Sequence, residues 1–313
     1  MLSVMEVKKR LPRDFIEELY SLHSPLVADK ILAGMAGKRN TTLRVNTLKY
    51  NIQDLMRYFR EINIKFERVS FFNNALIIKN ATEKDIQKLD IYEKGYIYLQ
   101  SLSSMIPPLV LDAKGNEQIL DMASAPGSKT TQISAMMNNT GHIIANELDK
   151  IRCERLKFNL NNQGATNVEV INGYGEKLGE KYLETFDRVL LDTPCSGEGR
   201  FIAEIAGTYR NWSLKTVKEL SKIQRKLIKS GHNALKPGGI MVYSTCTLNL
   251  EENEDILKWA SENLNLKIMD IDLNIKNAIP GDKLGTNLGL EKAIKILPNK
   301  ETEGFFIAKL RKI

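Results

Sequence analysis

From residue 117 onward, short apolar runs alternate with helical stretches, and this alternation restricts the fold more than any other feature of the chain. The runs are QILDMA (118–123), HIIANE (142–147), VEVIN (168–172), DRVLLDT (187–193) and GIMVYST (239–245). Helical patterns at Lys129 to Met137, Lys150 to Gln163 and Lys215 to Ala234 separate them. Strands that alternate with helices build a parallel sheet covered on both faces. Ligands of such sheets bind beyond the carboxyl ends of the strands, so the residues just after each run are the functional candidates.

The first third reads differently. Residues 11–35 carry apolar side chains three or four apart (Phe15, Leu19, Leu22, Leu26), and Gly37 follows as a stop. A strand at Thr41 to Val45, a helix at Ile52 to Ile62, short strands near Phe66 and Leu76, a helix near Asp85 and a strand near Ile97 complete a small α+β unit. With 313 residues, two domains are expected, 1–98 and 99–313. Residues 1–98 hold 17 Lys plus Arg against 12 Asp plus Glu, so five of the seven net positive charges lie there. Lys38, Arg39 and Arg44 flank the first strand and are candidates to meet phosphates, although a solvated surface has the same composition. The modest basic excess fits a polyanionic partner without requiring one. No signal peptide precedes the fold and no apolar run reaches the roughly 18 residues of a membrane span, so a cytoplasmic protein is expected.

Four strand ends carry candidate chemistry. The first reads Asp121-Met122-Ala123-Ser124-Ala125-Pro126-Gly127-Ser128-Lys129-Thr130, a tight turn into a helix N-terminus that suits a nucleotide-like cofactor. Gly127 is its one glycine, so neither the dinucleotide pattern G-x-G-x-x-G nor the phosphate-loop pattern G-x-x-x-x-G-K-[ST] is present, and a plain strand-to-helix connection remains open. The second run ends at Glu147, about 20 residues on, where nucleotide-binding sheets place an acid for ribose hydroxyls. Arg152 and Arg155 follow on a helix and read as solvated or structural rather than catalytic.

The fourth run continues into Asp192-Thr193-Pro194-Cys195-Ser196-Gly197 and the fifth into Cys246-Thr247. A lone cysteine is usually an inert buried residue. Two cysteines just past two apolar strands, one beside an aspartate, face one cleft if those strands are neighbours, and an activated thiolate is a strong nucleophile. Cys153, inside a helical pattern, reads as structural, and the three cysteines lack metal-ligand or disulfide spacing.

Together with LRVNTLK (43–49), YLQSLSS (98–104), ANELDKIR (145–152), QRKLIKSGHNALKPGGIMVYSTCT (224–247) and EEN (251–253), the DTPCSG and STCT segments resemble the Sun-type RNA (cytosine-5) methyltransferases, most of all the archaeal tRNA members. The resemblance implies a Rossmann-like class I methyltransferase domain with a mostly parallel sheet behind an RNA-binding-like N-terminal domain, and S-adenosylmethionine as cofactor. It implies Cys246 as the nucleophile at carbon 6 of cytosine, Asp192 near N3, Cys195 promoting product release and Lys129 as a helper. The implied cofactor set is Ala123, Ser124, Ala125, Pro126, Gly127, Ser128, Lys129, Glu147, Arg152, Asn172 and Asp192. One position departs: Ile171-Asn172-Gly173-Tyr174 stands where many relatives have an aspartate for the adenine amino group, which leaves the contacts of Asn172 and Tyr174 open. The target base must leave any stack to be attacked. Arg200 and the basic face of the Lys215 to Lys229 helix are candidates for phosphates, and Trp212 reads as core packing rather than base stacking.

A monomer acting on tRNA, without metal or membrane, is the expectation, with ribosomal RNA as the alternative substrate. A non-catalytic RNA-binding assembly factor of the same fold competes, and the presence of Cys195, Cys246 and Asp192 argues against it.

Overall fold

The computed structural model describes residues 2–313. Strands β1 (Thr41–Val45), β2 (Phe66–Arg68), β3 (Ala75–Ile78) and β4 (Ile97–Leu99) form an antiparallel sheet in the order β2-β3-β1-β4. Leu43, Leu76, Ile78 and Ile97 of the sheet bury against Leu55 and Phe59 of the helix Ile52–Glu61, as the periodicity of that helix predicts.

The expected helix over 11–35 is two helices, Arg13–Leu22 and Pro25–Gly34. Pro25 has no N–H to continue the first and forces Ser24 into extended backbone (φ −58°, ψ 150°), so the face turns and Leu26 ends 76% exposed. An earlier helix, Val4–Arg10, is started by a capping box between Ser3 and Glu6. Val7, Phe15, Leu19, Ile31 and Met35 from these helices share a core with Phe201, Leu248 and Leu297. The three helices between residues 4 and 34 therefore pack onto the larger unit, while the small sheet keeps a core of its own.

The larger sheet has nine strands. They are β5 (Gln118–Asp121), β6 (His142–Glu147), β7 (Val168–Asn172), β8 (Phe186–Asp192), β9 (Leu235–Thr245), β10 (Leu266–Met269), β11 (Ala278–Pro280), β12 (Ile294–Ile296) and β13 (Phe305–Lys312). The order is β11-β12-β13-β9-β8-β5-β6-β7, with β10 pairing β13. The strands from β7 to β9 are mutually parallel, and the remaining pairings are antiparallel. This is a Rossmann-like class I methyltransferase sheet. The chain moves outward from β5 to β7 and returns beside β5 as β8, which opens a crevice at the carboxyl ends of β5 and β8. One face is covered by Leu227 and Ile228 of the helix Leu214–Ala234 and by Ile256 and Leu257 of the helix Glu254–Asn263. Ile106 and Val110 of the helix Leu102–Leu111 and Ile133 of the helix Ser128–Met136 cover the other.

Arg39 and Arg44 are not presented to phosphates. Arg44 is 1% exposed, donating from Nε to Gln100 Oε1 (2.9 Å) and from Nη2 to Ser128 O (3.1 Å) and Thr131 Oγ1 (2.7 Å), under the Tyr98 ring. Burial lowers its pKa to about 10, which still leaves it charged at neutral pH. Arg39 donates to the carbonyls of Thr302 and Gly199. Both cations are spent fastening β1 and its approach to the catalytic half. Arg44→Ala is expected to destabilise the protein by about 3 kcal/mol, because it leaves Gln100 Oε1 and Thr131 Oγ1 without a donor in the interior and removes a buried side chain. Urea unfolding checks this; a shift within about 0.5 kcal/mol, as for a surface lysine, would contradict it.

Candidate active site

The turn after β5 is built for close approach. Gly127 has φ +104°, a conformation L side chains rarely adopt, so the backbone requires glycine there; a Cβ would also displace Leu156 Cδ1 of the helix Lys150–Gln163, 2.9 Å away. Ser124 Oγ ties the turn to both strands by donating to Asp121 O (2.9 Å) and Asn146 O (3.1 Å). Asp121 is buried beneath, accepting from Thr130 Oγ1 (2.7 Å), and burial raises its pKa to about 6. Arg152 Nη2 donates to Ala125 O (2.7 Å), which makes it a brace of the turn.

Beside the turn lies a cavity of about 620 Å³ lined by Met122, Ala123, Asn146, Glu147, Pro194 and Leu227, among others. Glu147, at the end of β6, is 3% exposed. One of its oxygens accepts from the Asp149 N–H (2.9 Å); Oε2 accepts no hydrogen bond, with Arg152 at 3.4 Å. Asn146 Oδ1 is also buried and unpartnered. Two unfilled acceptors facing a half-apolar cavity suit a nucleoside, with ribose hydroxyls on the carboxylate and an adenine against the aliphatic wall. S-adenosylmethionine fits these residues. Asn172 lies outside the lining, its amide donating to the Glu147 and Leu148 carbonyls (2.8 Å each), and Tyr174 is exposed. Gly175 and Glu176 line the cavity in that stretch, which settles on this side the contacts the sequence left open.

A larger cleft of about 840 Å³ shares Arg152 with that cavity and is lined by Ser104, Ser128, Lys129, Asp192, Arg200 and Cys246, among others. The parallel pairing of β8 with β9 sets Asp192 opposite Ser244, so the segments after them run side by side. Cys195 Sγ and Cys246 Sγ are 3.3 Å apart. Ser244 Oγ donates to Asp192 Oδ1 (2.7 Å), and Lys129 Nζ to Asp192 Oδ2 (2.6 Å) and Ser104 Oγ (2.8 Å). Lys129, Asp192 and Cys246 thus line one cleft, and Cys195 reaches it through its contact with the Cys246 sulfur.

Electrostatics separate the two thiols. The hydrogen bond to Cys246, then burial, pushes the Cys195 thiol well above its usual range, so it carries its proton at neutral pH. The Cys246 sulfur is the chief cause of a raised Arg200 pKa, which places a permanent cation beside that sulfur. Arg200 is exposed and lines the cleft, so it stands beside the nucleophile and also faces the space an RNA would enter. Trp212 packs on Phe15 and donates to Glu198 Oε1 (3.0 Å), as core packing predicts.

Sequence reasoning missed the brace under Cys195. Glu252 is fully buried, accepting from the Ser196 N–H (2.9 Å) and hydroxyl and from Gln224 Nε2 (3.0 Å), while Gln224 also donates to Pro194 O (2.8 Å). Burial raises the Glu252 pKa. The signal was present, since Gln224 and Glu252 both fall within distinctive segments, but no local pattern connects them to the DTPCSG loop.

A family model described as 16S rRNA methyltransferase RsmB/F matches residues 108–311. Ribosomal RNA small subunit methyltransferase F of Citrobacter koseri is 37% identical over 297 residues, which cover 93% of this chain and 61% of that protein. The Escherichia coli K12 protein of the same name matches over 298 residues at the same identity and shares. The chain thus spans about three-fifths of the length of these relatives. The crystal structure of a methyltransferase homolog protein from Pyrococcus horikoshii is 32% identical and superimposes over all of both chains with a TM-score of 0.86. No helix among the described residues is long and apolar enough to cross a membrane, and no metal-ligating cluster occurs among them. The chain belongs to the RsmB/F family of S-adenosylmethionine-dependent RNA (cytosine-5) methyltransferases.

Proposed function

We propose that this chain methylates carbon 5 of a cytosine in RNA through a covalent bond from Cys246 to carbon 6. The observation that carries the reading is the pair of sulfurs 3.3 Å apart beside the Lys129, Asp192 and Ser244 network. Bound in the Glu147 cavity, S-adenosylmethionine would supply an electrophilic methyl group. Carbon 5 of cytosine is a poor nucleophile, and addition of the Cys246 thiolate to carbon 6 moves an electron pair toward it. Asp192 holds the ring near N3. The proton on Lys129 Nζ, 2.6 Å from Asp192, is the one available to neutralise the charge that the addition creates.

Release follows from the same pair. Once the Cys246 sulfur is bonded to carbon, its pull on the Cys195 proton ends and Cys195 gives that proton more readily to water in the open cleft. Its thiolate then takes the carbon 5 proton; the electron pair re-forms the ring double bond, and Cys246 leaves as thiolate. Glu252, Ser196 and Gln224 keep Cys195 at that place.

The name of the curated relatives favours small-subunit ribosomal RNA over the tRNA expected from sequence alone. Labelled S-adenosylmethionine incubated with each RNA separately is expected to give 5-methylcytosine in one of them by mass spectrometry; absence from both overturns the reading. Cys195→Ala is expected to accumulate a protein–RNA adduct that survives a denaturing gel. If that variant turns over normally with no adduct, the release role is wrong.

A further inference from the structure

The helix Lys150–Gln163 buries Cys153, Leu156, Leu160 and Gln163 and turns another face outward. On that face Ile151 is 70% and Phe158 69% exposed, with exposed Arg155 between them at helical spacing. A single exposed apolar residue is ordinary. Phe158 differs in its position, because it lines the same cleft as Cys246, Lys129 and Asp192. It also walls a shallow hollow with Pro126, Ile151, Arg155 and Asn159, so the ring stands at the rim between the cleft and solvent. The cations around it are not equivalent. Lys157 is paired with Glu154 (2.8 Å) and Arg152 is held by Ala125 O, whereas Arg155 makes no ion pair among the described residues.

We propose that Phe158 is the stacking platform for an unpaired base flanking the target cytosine, with Arg155 on the adjoining phosphate. The inference rests on the RNA reading above. A cytosine drawn into the cleft leaves its neighbour unstacked, and a bare ring at the mouth replaces the lost stacking without selecting among bases. RNA is favoured over a protein partner because the ring is continuous with the cavity that must admit a nucleotide, and because an unpaired guanidinium stands beside it.

Binding of a single-stranded oligoribonucleotide containing one cytosine tests this without turnover. Phe158→Trp is expected to bind like the native chain, and its added fluorescence, over that of Trp212 and Trp259, to be quenched by the RNA. Phe158→Ala and Phe158→Leu should both weaken binding, by about 5- to 100-fold, and raise KM for RNA far more than they lower kcat. Leucine matching phenylalanine would reduce the residue to an apolar cover. No quench despite binding overturns the platform, as does loss of self-association in Phe158→Ala, which would give the patch to a second copy. A chain that stacks RNA yet leaves cytosine unmethylated would sink the reaction and keep the platform; methylation indifferent to Phe158 would do the reverse.

Discussion

Cys246→Ala is expected to lose methyl transfer by roughly 10⁴-fold or more, because the only route to a reactive carbon 5 is removed while binding is left in place. Alanine has no lone pair to add to carbon 6, and no neighbour takes its place: the Cys195 thiol holds its proton, Lys129 is engaged by Asp192 and Ser104, and Arg200 cannot deprotonate. Cys246 is only partly buried, so the truncation should cost little stability and the loss is chemical. Single-turnover transfer of a labelled methyl group, with circular dichroism as the folding control, measures it. A loss of less than tenfold would remove the covalent step and leave Cys195 as an ordinary thiol.

Gly199→Ala is expected to destabilise the protein by about 3 kcal/mol or more and to abolish activity in whatever remains folded. A Cβ at this position would lie 1.9 Å from the Gly304 carbonyl oxygen and 2.7 Å from its Cα, and backbone cannot swing aside as a side chain can. The contact is part of the site, since the Gly199 N–H donates to the Cys246 carbonyl (3.0 Å) and the Gly304 N–H to the Gly199 carbonyl (2.9 Å). Gly197→Ala serves as the comparison. Its φ is +77° but nothing lies within 4 Å, so it should cost only the left-handed penalty of about 1–2 kcal/mol. Urea unfolding of both variants separates the two causes, and a Gly199→Ala protein as stable as the native chain would contradict the close approach.

Much of the site was legible because the chemistry lies at strand ends, and strand ends are visible wherever an apolar run stops. Glu147, Asp192, Cys195 and Cys246 stand out this way, and bringing Asp192, Cys195 and Cys246 together needs only that β8 and β9 be neighbours. Charge was less readable. A run containing Lys38, Arg39 and Arg44 reads as a phosphate surface, yet Arg44 lies beneath Tyr98 and Arg39 against the Gly199 carbonyl, because one-dimensional order does not reveal which face of β1 is covered. The strands after residue 265 escaped notice for another reason. β10, β11 and β12 are three or four residues long, too short to show a period, and β10 is a strand through a partner distant in sequence, with Leu266 paired to Lys312 of β13. Asn172 had the right chemistry but turns back onto the end of β6, while Asn146, hidden within an apolar run, supplies the unfilled acceptor.

The hydrogen bonds of Arg44 reach from β1 into the first turn of the helix that follows Gly127, so the small sheet and the methyl-donor side move as one mechanical piece. A chimera exchanging the small sheet for that of a cousin would have to carry its own guanidinium plug and matching socket. Where it did not, the graft would loosen the floor on which Lys129 stands, and a change of RNA preference would arrive with a damaged catalyst.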